Sequence, residues 1–311
     1  MSTATVGIPK SLLYFKYFPL WESFFTELGA DILVSSPSST ATLESGSRMA
    51  HSDACVPIKL AFGHVDEIVG KSDFIFLPRF LRLEEKSYVC PKVIGFTDMA
   101  KCMMPGLVAQ SGPRVIESLF DVHICSDKNV FRKIGYNFSY NPFKIDRAYA
   151  KSVAHFKSIN EARVGAFEKF STAGEYRRRI GVVGHPYNIG DDFVSMGVLS
   201  ELKKRDALPV VSEDIPLHLH ECDFSEFPSN LFWSFGREIY KTAKLLMKND
   251  KYKVDGLVYV APFGCGLDSI MMSIVQSEAK KAGVPFLPLT VDEHTAKAGI
   301  VTRIEAFLDM L

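Results

Sequence analysis

Short apolar runs alternate with amphipathic stretches along this chain, and the alternation occurs twice. "TVGIPK" reads as a strand over Val6 to Ile8. A helical apolar spacing follows from about Leu12 to Leu28, with Gly29 as its C-terminal stop. "DILVSSP" is the next strand, ended by Pro37. "CVPIKLAFGHVDEIVGK" has helical spacing at Ile58, Phe62, Val65 and Val69. "DFIFLPRF" and "KVIGFTDM" are read as a third and a fourth strand. This βαβ rhythm belongs to a parallel sheet with helices on both faces.

The second series starts near residue 176. "YRRRIGVVGHPYNIG" is a strand and its loop, "DDFVSMGVLSELKKRDA" a helix and "LPVVSED" a strand. "NLFWSFGREIYKTAKLLMKND" is a long helix. "VDGLVYVAPFGCG" is a strand and loop, "LDSIMMSIVQSEAKKAG" a helix, "VPFLPLTVDEH" the last strand and "KAGIVTRIEAFLDML" a closing helix. Three segments are expected: an N-terminal α/β domain over 1–125, a connecting helical segment over 126–175 and a C-terminal α/β domain over 176–311. The expected fold class is α/β, with two parallel-sheet domains. Ligands of such sheets sit where loops meet at the carboxyl ends of the strands. Two facing domains would gather those loops around one cleft.

Charge narrows the partners. Lys plus Arg and Asp plus Glu both number 36 in 311 residues, giving no net charge. No electrostatic argument then exists for nucleic acid or an anionic membrane surface. No apolar run approaches the roughly 20 residues of a spanning helix. "MSTATVGIPK" lacks the basic start of a secretory leader. The expectation is a cytoplasmic protein with no nucleic-acid or membrane partner. In that compartment cysteines stay reduced, and clustered ones serve metals or redox chemistry more often than disulfides.

Six cysteines occur, none in a C-x-x-C pair. Cys265 lies between Gly264 and Gly266, beyond a strand and before a helix. The glycines remove side-chain bulk there and permit unusual φ. A helix start near Leu267 and Asp268 would turn amides toward the thiolate. Cys55 again precedes a helix, with Pro57 at an early helical position and Lys59 close by. Cys90 precedes Pro91 at the entry of the strand read over "KVIGFTDM", so an extended conformation is expected. Cys102, beside Met103 and Met104, reads as packing, and Cys125 and Cys222 as structural. His218 and His220 near Cys222 show no further ligands at metal spacing.

Three thiolates at loops, each beside glycine or proline, suit a bulky anionic iron–sulfur cluster. Three cysteines for four irons would leave one iron open to hydroxide, sulfide, a side chain or a substrate. Spacing alone leaves two other classes standing: a non-metal α/β binding protein with structural cysteines, and a scaffold subunit that keeps only the fold.

The stretches "GIPKSLLYFKYFPLWESFFTELG", "CVPIKLAFGHV", "CPKVIGF", "GHPYNIGDDF", "FWSFGREI", "PFGCGLDS" and "DEHTAKAGIVTRIEAF" carry a resemblance. Together they resemble the activase-related proteins of the 2-hydroxyacyl-CoA dehydratase superfamily, which also includes benzoyl-CoA reductases and double-cubane-cluster proteins. The resemblance implies two Rossmann-like domains with an iron–sulfur cluster in the cleft between them. It implies Cys55, Cys90 and Cys265 as ligands; Pro57, Pro91, Gly264 and Gly266, beside them in sequence, are read as lining the cofactor. It implies reduction by a separate ATP-hydrolysing activase of actin-like ATPase fold, itself an iron–sulfur protein; this chain has no P-loop.

The reading it supports is a reductase or dehydratase component with one site-differentiated 4Fe-4S cluster. Low-potential electrons would pass to a small substrate at the open iron, an acyl-CoA among the candidates, or to another protein. The alternative within the superfamily, a double-cubane 8Fe-9S reductase, demands about six thiolates. His294 and Glu293 in "VDEHT", and His185 and Tyr187 in "GHPYN", follow strands. They are candidates for donating to cluster sulfides or handling protons, against a loop-capping role. Lys59 and His64, five apart, do not share a helix face; Lys59 is the candidate for the cleft. "RLEEK" reads as a solvated loop, with Glu85 a candidate fourth ligand. The aromatic run "FKYFPLWESFF" is expected in the core and on a homodimer surface.

Overall fold

The computed structural model describes residues 3–124, 126–172, 174, 176–220 and 231–311. Cys125 and Cys222 lie outside the described residues. The chain divides into two compact units, Met1–Ile159 and Asn160–Leu311. Each is a Rossmann-like α/β layer structure.

In the first unit the order is β1 (Thr5–Ile8), α1 (Tyr14–Leu28), β2 (Asp31–Val34), α2 (Thr40–Met49), α3 (Val56–Ile68), β3 (Phe74–Phe76) and β4 (Arg79–Arg82). Three helices follow, α4 (Pro91–Ile94), α5 (Phe96–Met103) and α6 (Pro105–Val108), then β5 (Arg114–Ile116), β6 (Leu119–Asp121), α7 (Asp127–Gly135) and the start of α8 (Pro142–Thr172), whose residues from Asn160 on are counted in the second unit. The main sheet has the order β2-β1-β3-β5, parallel throughout, with Val6 facing Ile32 on one side and Phe74 on the other. The helix α1 ends as its sequence dictates. Gly29 adopts φ 90°, a left-handed cap whose N–H reaches the Phe25 and Thr26 carbonyls.

Two strand expectations are corrected here. "DFIFLPRF" is not one strand: β3 stops at Phe76, and beyond Pro78 the separate β4 pairs in parallel with β6 in a small second sheet. Proline lacks the N–H that a central ladder needs. "KVIGFTDM" is helical, not the fourth strand. Pro91 fits the first position of α4, and Val93, Phe96 and Ala100 are buried at helical spacing. The fourth strand is β5, three residues long, too brief to announce itself.

Aromatic packing holds this unit together. Trp21, Phe24 and Phe25 of α1 are buried. Trp21 meets Phe76 edge-on at 5.2 Å, Phe25 meets the same ring at 5.1 Å, and Tyr17 stacks on Phe80 at 5.4 Å. The core part of the "FKYFPLWESFF" expectation is thus observed. Helices α2 and α3 press together at two glycines. A Cβ on Gly46 would stand 1.7 Å from the Lys59 carbonyl oxygen, and one on Gly63 would stand 2.0 Å from that of Thr42.

In the second unit the order is β7 (Arg178–Val183), α9 (Pro186–Ile189), α10 (Val198–Lys203), β8 (Ala207–Val210), α11 (Leu217–His220), α12 (Ser234–Lys248), β9 (Gly256–Pro262), α13 (Gly266–Ala282), β10 (Phe286–Val291) and α14 (Lys297–Asp309). The helix read over "DDFVSMGVLSELKKRDA" is shorter than its pattern; only α10 is regular. The sheet order is β10-β9-β7-β8, again all parallel. Every residue of β9 is buried, which is why its sequence reads as a continuous apolar run rather than an alternating one.

Counted along each unit, the two main sheets have the same order, second-first-third-fourth. The point where that order reverses lies between β1 and β3 in one unit and between β7 and β9 in the other. Loops leaving the carboxyl ends of those strand pairs form the crevice where open α/β sheets bind ligands.

Candidate metal centre

Cys55, Cys90 and Cys265 occupy one kind of position. Each is the residue that caps the N-terminus of a helix, α3, α4 and α13 respectively. The carbonyl of each accepts first-turn amides: Ile58 and Lys59 for Cys55, Val93 and Ile94 for Cys90, Ser269 for Cys265. The backbone is therefore spent on the helix, and the side chain stands where Ser, Thr or Asp usually stands. Pro57 and Pro91 sit within the first two helical positions of α3 and α4, where a missing N–H costs nothing. All three cysteines are partly buried, while Cys102 is exposed, so the packing role read for Cys102 is not what the fold gives it.

Within the first unit, the segments around Cys55 and Cys90 are tied together. The Lys92 ammonium donates to the Asp53 carbonyl at 2.7 Å. Lys59, the cleft candidate, is buried on α3. His64 on the same helix is enclosed between two hydroxyls, with Ser35 Oγ 2.9 Å from Nδ1 and Ser38 Oγ 2.9 Å from Nε2. Burial pushes its pKa down to about 4, helped by Lys10 and opposed by Glu67. Glu85 is exposed.

The second unit builds its site at the strand-order reversal. β7 ends at Val183. Gly184 follows with φ 152°, and a Cβ there would stand 2.5 Å from the Val260 carbonyl of β9. Only glycine lets the chain cross that close to its neighbour. His185 then caps α9, with Pro186 in the first turn. On the adjacent strand, β9 runs out at Pro262 and Gly264 turns the chain at φ 75°. Cys265 caps α13 and its Sγ accepts the Asp268 N–H at 3.4 Å. An acid at the third helical residue is also favoured by the helix dipole.

Asp268 is completely buried and holds three donors. Tyr259 O–H donates to Oδ1 at 2.7 Å, and Oδ2 lies 2.9 Å from His185 Nδ1 and 3.3 Å from Asn188 Nδ2. Burial raises the Tyr259 phenol well above its usual pKa, and the Asp268 and Cys265 charges push the same way. Tyr259 therefore stays a donor. Ligand atoms of His185, Cys265 and Asp268 all lie within 4.8 Å of one another. Tyr187 stacks on the His185 ring at 4.8 Å.

His294 and Glu293, in the loop after β10, are exposed. The loop caps itself: Asp292 Oδ1 accepts the His294 N–H at 2.9 Å and the Thr295 hydroxyl at 2.7 Å. Asp268, Tyr259 and Asn188 were not singled out from the sequence as site residues. Their signals were present but weak: an acid three residues after a candidate N-cap cysteine, and an asparagine three residues after His185.

The donor set suits an iron–sulfur centre on local grounds. Three thiols stand at helix starts, and a Cβ on Gly264 or Gly266 would meet nothing within 4 Å, leaving backbone open to something bulky. Family comparison points the same way. The model of the CoA enzyme activase uncharacterised domain (DUF2229) matches residues 5–215, and that of the 2-hydroxyglutaryl-CoA dehydratase D-component matches residues 229–311. Both are consistent with the 2-hydroxyacyl-CoA dehydratase-like superfamily. No curated protein matches the chain. No described helix is long and apolar enough to cross a membrane.

Proposed function

The chain belongs to the CoA enzyme activase uncharacterised domain family, and from that premise we propose that it is the iron–sulfur component of an activase-dependent, dehydratase-like system. Cys55, Cys90 and Cys265 would hold one site-differentiated 4Fe-4S cluster. Gly264 and Gly266 would leave open backbone beside it, and Pro57 and Pro91 would border it from the first turns of α3 and α4. The observation that carries this reading is the shared placement of the three cysteines as helix N-caps. The amides and dipole of a helix start suit an anionic guest. The D-component family, whose members are iron–sulfur proteins, supports it independently.

Such a cluster supplies one-electron chemistry at low potential, tuned by hydrogen bonds and burial. The electron would come from a separate ATP-hydrolysing activase, an iron–sulfur protein of actin-like ATPase fold. It would go to a small substrate at the iron without a cysteine, an acyl-CoA being the candidate class, or to another protein. Of the polar candidates, His185 is best placed to act near the metal, because a buried network fixes its ring beside Cys265. His294, Glu293 and Lys59 remain candidates for proton handling. A homodimer in the cytoplasm is the working assembly.

Anaerobic iron and acid-labile sulfide counting with paramagnetic resonance tests the proposal. About four irons per chain and a cubane signal on reduction support it. About eight irons would replace it with the double cubane. A folded, colourless, iron-free protein would overturn it in favour of a binding or scaffold role.

A further inference from the structure

Arg82 and Asp121 stand at the ends of the two short strands β4 and β6, four and three residues long, which form a sheet of their own. Two such strands are too small to hold together unaided. Arg82 grips Asp121 with a two-armed contact: Nε donates to Oδ1 at 2.8 Å and Nη2 to Oδ2 at 2.7 Å. The Asp121 side chain has no solvent exposure, and that of Arg82 is 19% exposed.

The pairing depends on one extra residue. Arg79 lies opposite Leu119 and Phe80 opposite Phe120, so an unbroken ladder would set Leu81 opposite Asp121. The register shifts at that point, and Arg82 takes the place instead. A bulge of this kind re-aims a side chain. Leu81, the residue left over, accepts the Val89 N–H on its carbonyl at 3.0 Å.

That last bond brings the chain back to β4 just before Cys90. The turn between is compact. Lys86 holds φ 57°, a left-handed conformation that persists only where the surroundings impose it. Ser87 is fully enclosed, and its hydroxyl donates to the Glu84 carbonyl at 3.2 Å. The Arg82 guanidinium carbon lies over the Tyr88 ring, 5.6 Å from its centroid. Val89 is buried, and Cys90 follows as the N-cap of α4.

We propose that Arg82 is a positioning residue for Cys90. Its guanidinium, fixed by the buried Asp121, carries Tyr88 and so sets the course of residues 83–89 that deliver Cys90 to the start of α4. The purpose of this clamp rests on the cluster reading, in which a ligand must be presented in one place; its geometry does not.

The experiment is therefore run without a cluster. The full-length parent and its variants are stripped of metal by chelation and alkylated under native conditions, with each cysteine followed by mass spectrometry. Exposed Cys102 is the internal reference. Arg82→Gln/Asp121→Asn removes both charges together and strands neither. It should speed Cys90 alkylation about tenfold or more by local opening, with Cys102 and Cys55 unchanged. Arg82→Lys keeps the charge but loses the fork, and should speed Cys90 by about threefold. A parent-like Cys90 rate in whichever variants fold overturns the proposal. A rise shared by Cys55 and Cys90 overturns it too, because Arg82 would then support the unit in general. Iron counts on the unstripped chains read the other question: an iron-free parent would sink the cluster reading and leave the alkylation comparison intact.

Discussion

His185 Nδ1 lies 2.9 Å from Asp268 Oδ2, across 83 residues of sequence, and neither side chain has solvent exposure. The contact links the loop after β7 to the first turn of α13, the two segments that flank the strand-order reversal. It is a buried polar network of the costly kind: well satisfied around Asp268, with its loose ends at His185 Nε2 and Asn188 Oδ1.

Asp268→Ala should therefore destabilise the protein by about 3 kcal/mol, because three enclosed donors lose their acceptor at once. Asp268→Asn keeps the shape and one carbonyl acceptor, and should cost less. Urea unfolding of both variants checks this. A loss under about 1 kcal/mol in the alanine variant would mean that the network is solvated in practice.

Iron retention should separate the cysteines by position. Cys265→Ala should lose the proposed cluster, since the residue is the N-cap of α13 proposed as a ligand. Cys102→Ala should keep it, since Cys102 is exposed on α5. Equal iron contents in the two purified variants would refute the ligand assignment.

Much of this molecule was legible in the chain because burial wrote it there. β9 is enclosed on both faces and reads as an apolar run; α1 ends at the glycine that looks like its stop. Misreadings fell where local signals compete. "KVIGF" has strand composition, yet Pro91 starts a helix and buries its apolar residues on one side. β5 is too short to show a period. The site was half legible: Cys265 stood out by its glycines, and His185 by following a strand. Asp268 could be seen as a helix start but not as the partner of a histidine 83 residues away, since no local pattern encodes that pairing.

Glycine to alanine inside a helix ordinarily stabilises by up to about 1 kcal/mol. Gly46→Ala should do the opposite, because its new Cβ would fall 1.7 Å from the Lys59 carbonyl oxygen. That atom belongs to the backbone of α3 and cannot step aside. A loss of about 1–3 kcal/mol is expected, together with lower iron retention, since α3 begins at Cys55. Thermal unfolding and iron content of the one variant report both effects.

His64 gives the fold a pH dependence. Its folded pKa is about 4, below that of a solvated imidazole, so the unfolded chain binds the extra proton first as pH drops. Stability from this group is complete above about pH 6.5 and is lost as pH falls toward 4, by at most about 3 kcal/mol. In His64→Gln that part of the slope should vanish. Urea midpoints measured from pH 7 to pH 4 in parent and variant compare the two directly, and parallel slopes would contradict the assignment.

The two glycines beside Cys265 should fail in different ways. Gly264 sits at φ 75°, a conformation that costs a side-chain-bearing residue about 1–2 kcal/mol, so Gly264→Ala should lower the melting temperature whatever binds nearby. Gly266 opens α13 with no positive φ, and its Cβ would meet nothing within 4 Å. Gly266→Ala should then leave folding unchanged or slightly improved. If a bulky cluster lies against that backbone, the same methyl group intrudes on it, and iron retention should fall while the melting temperature holds. Loss of iron without loss of stability is the signature of a glycine kept for a guest. Full iron retention in Gly266→Ala would show that nothing approaches the chain there, and the open space at this turn would need another explanation.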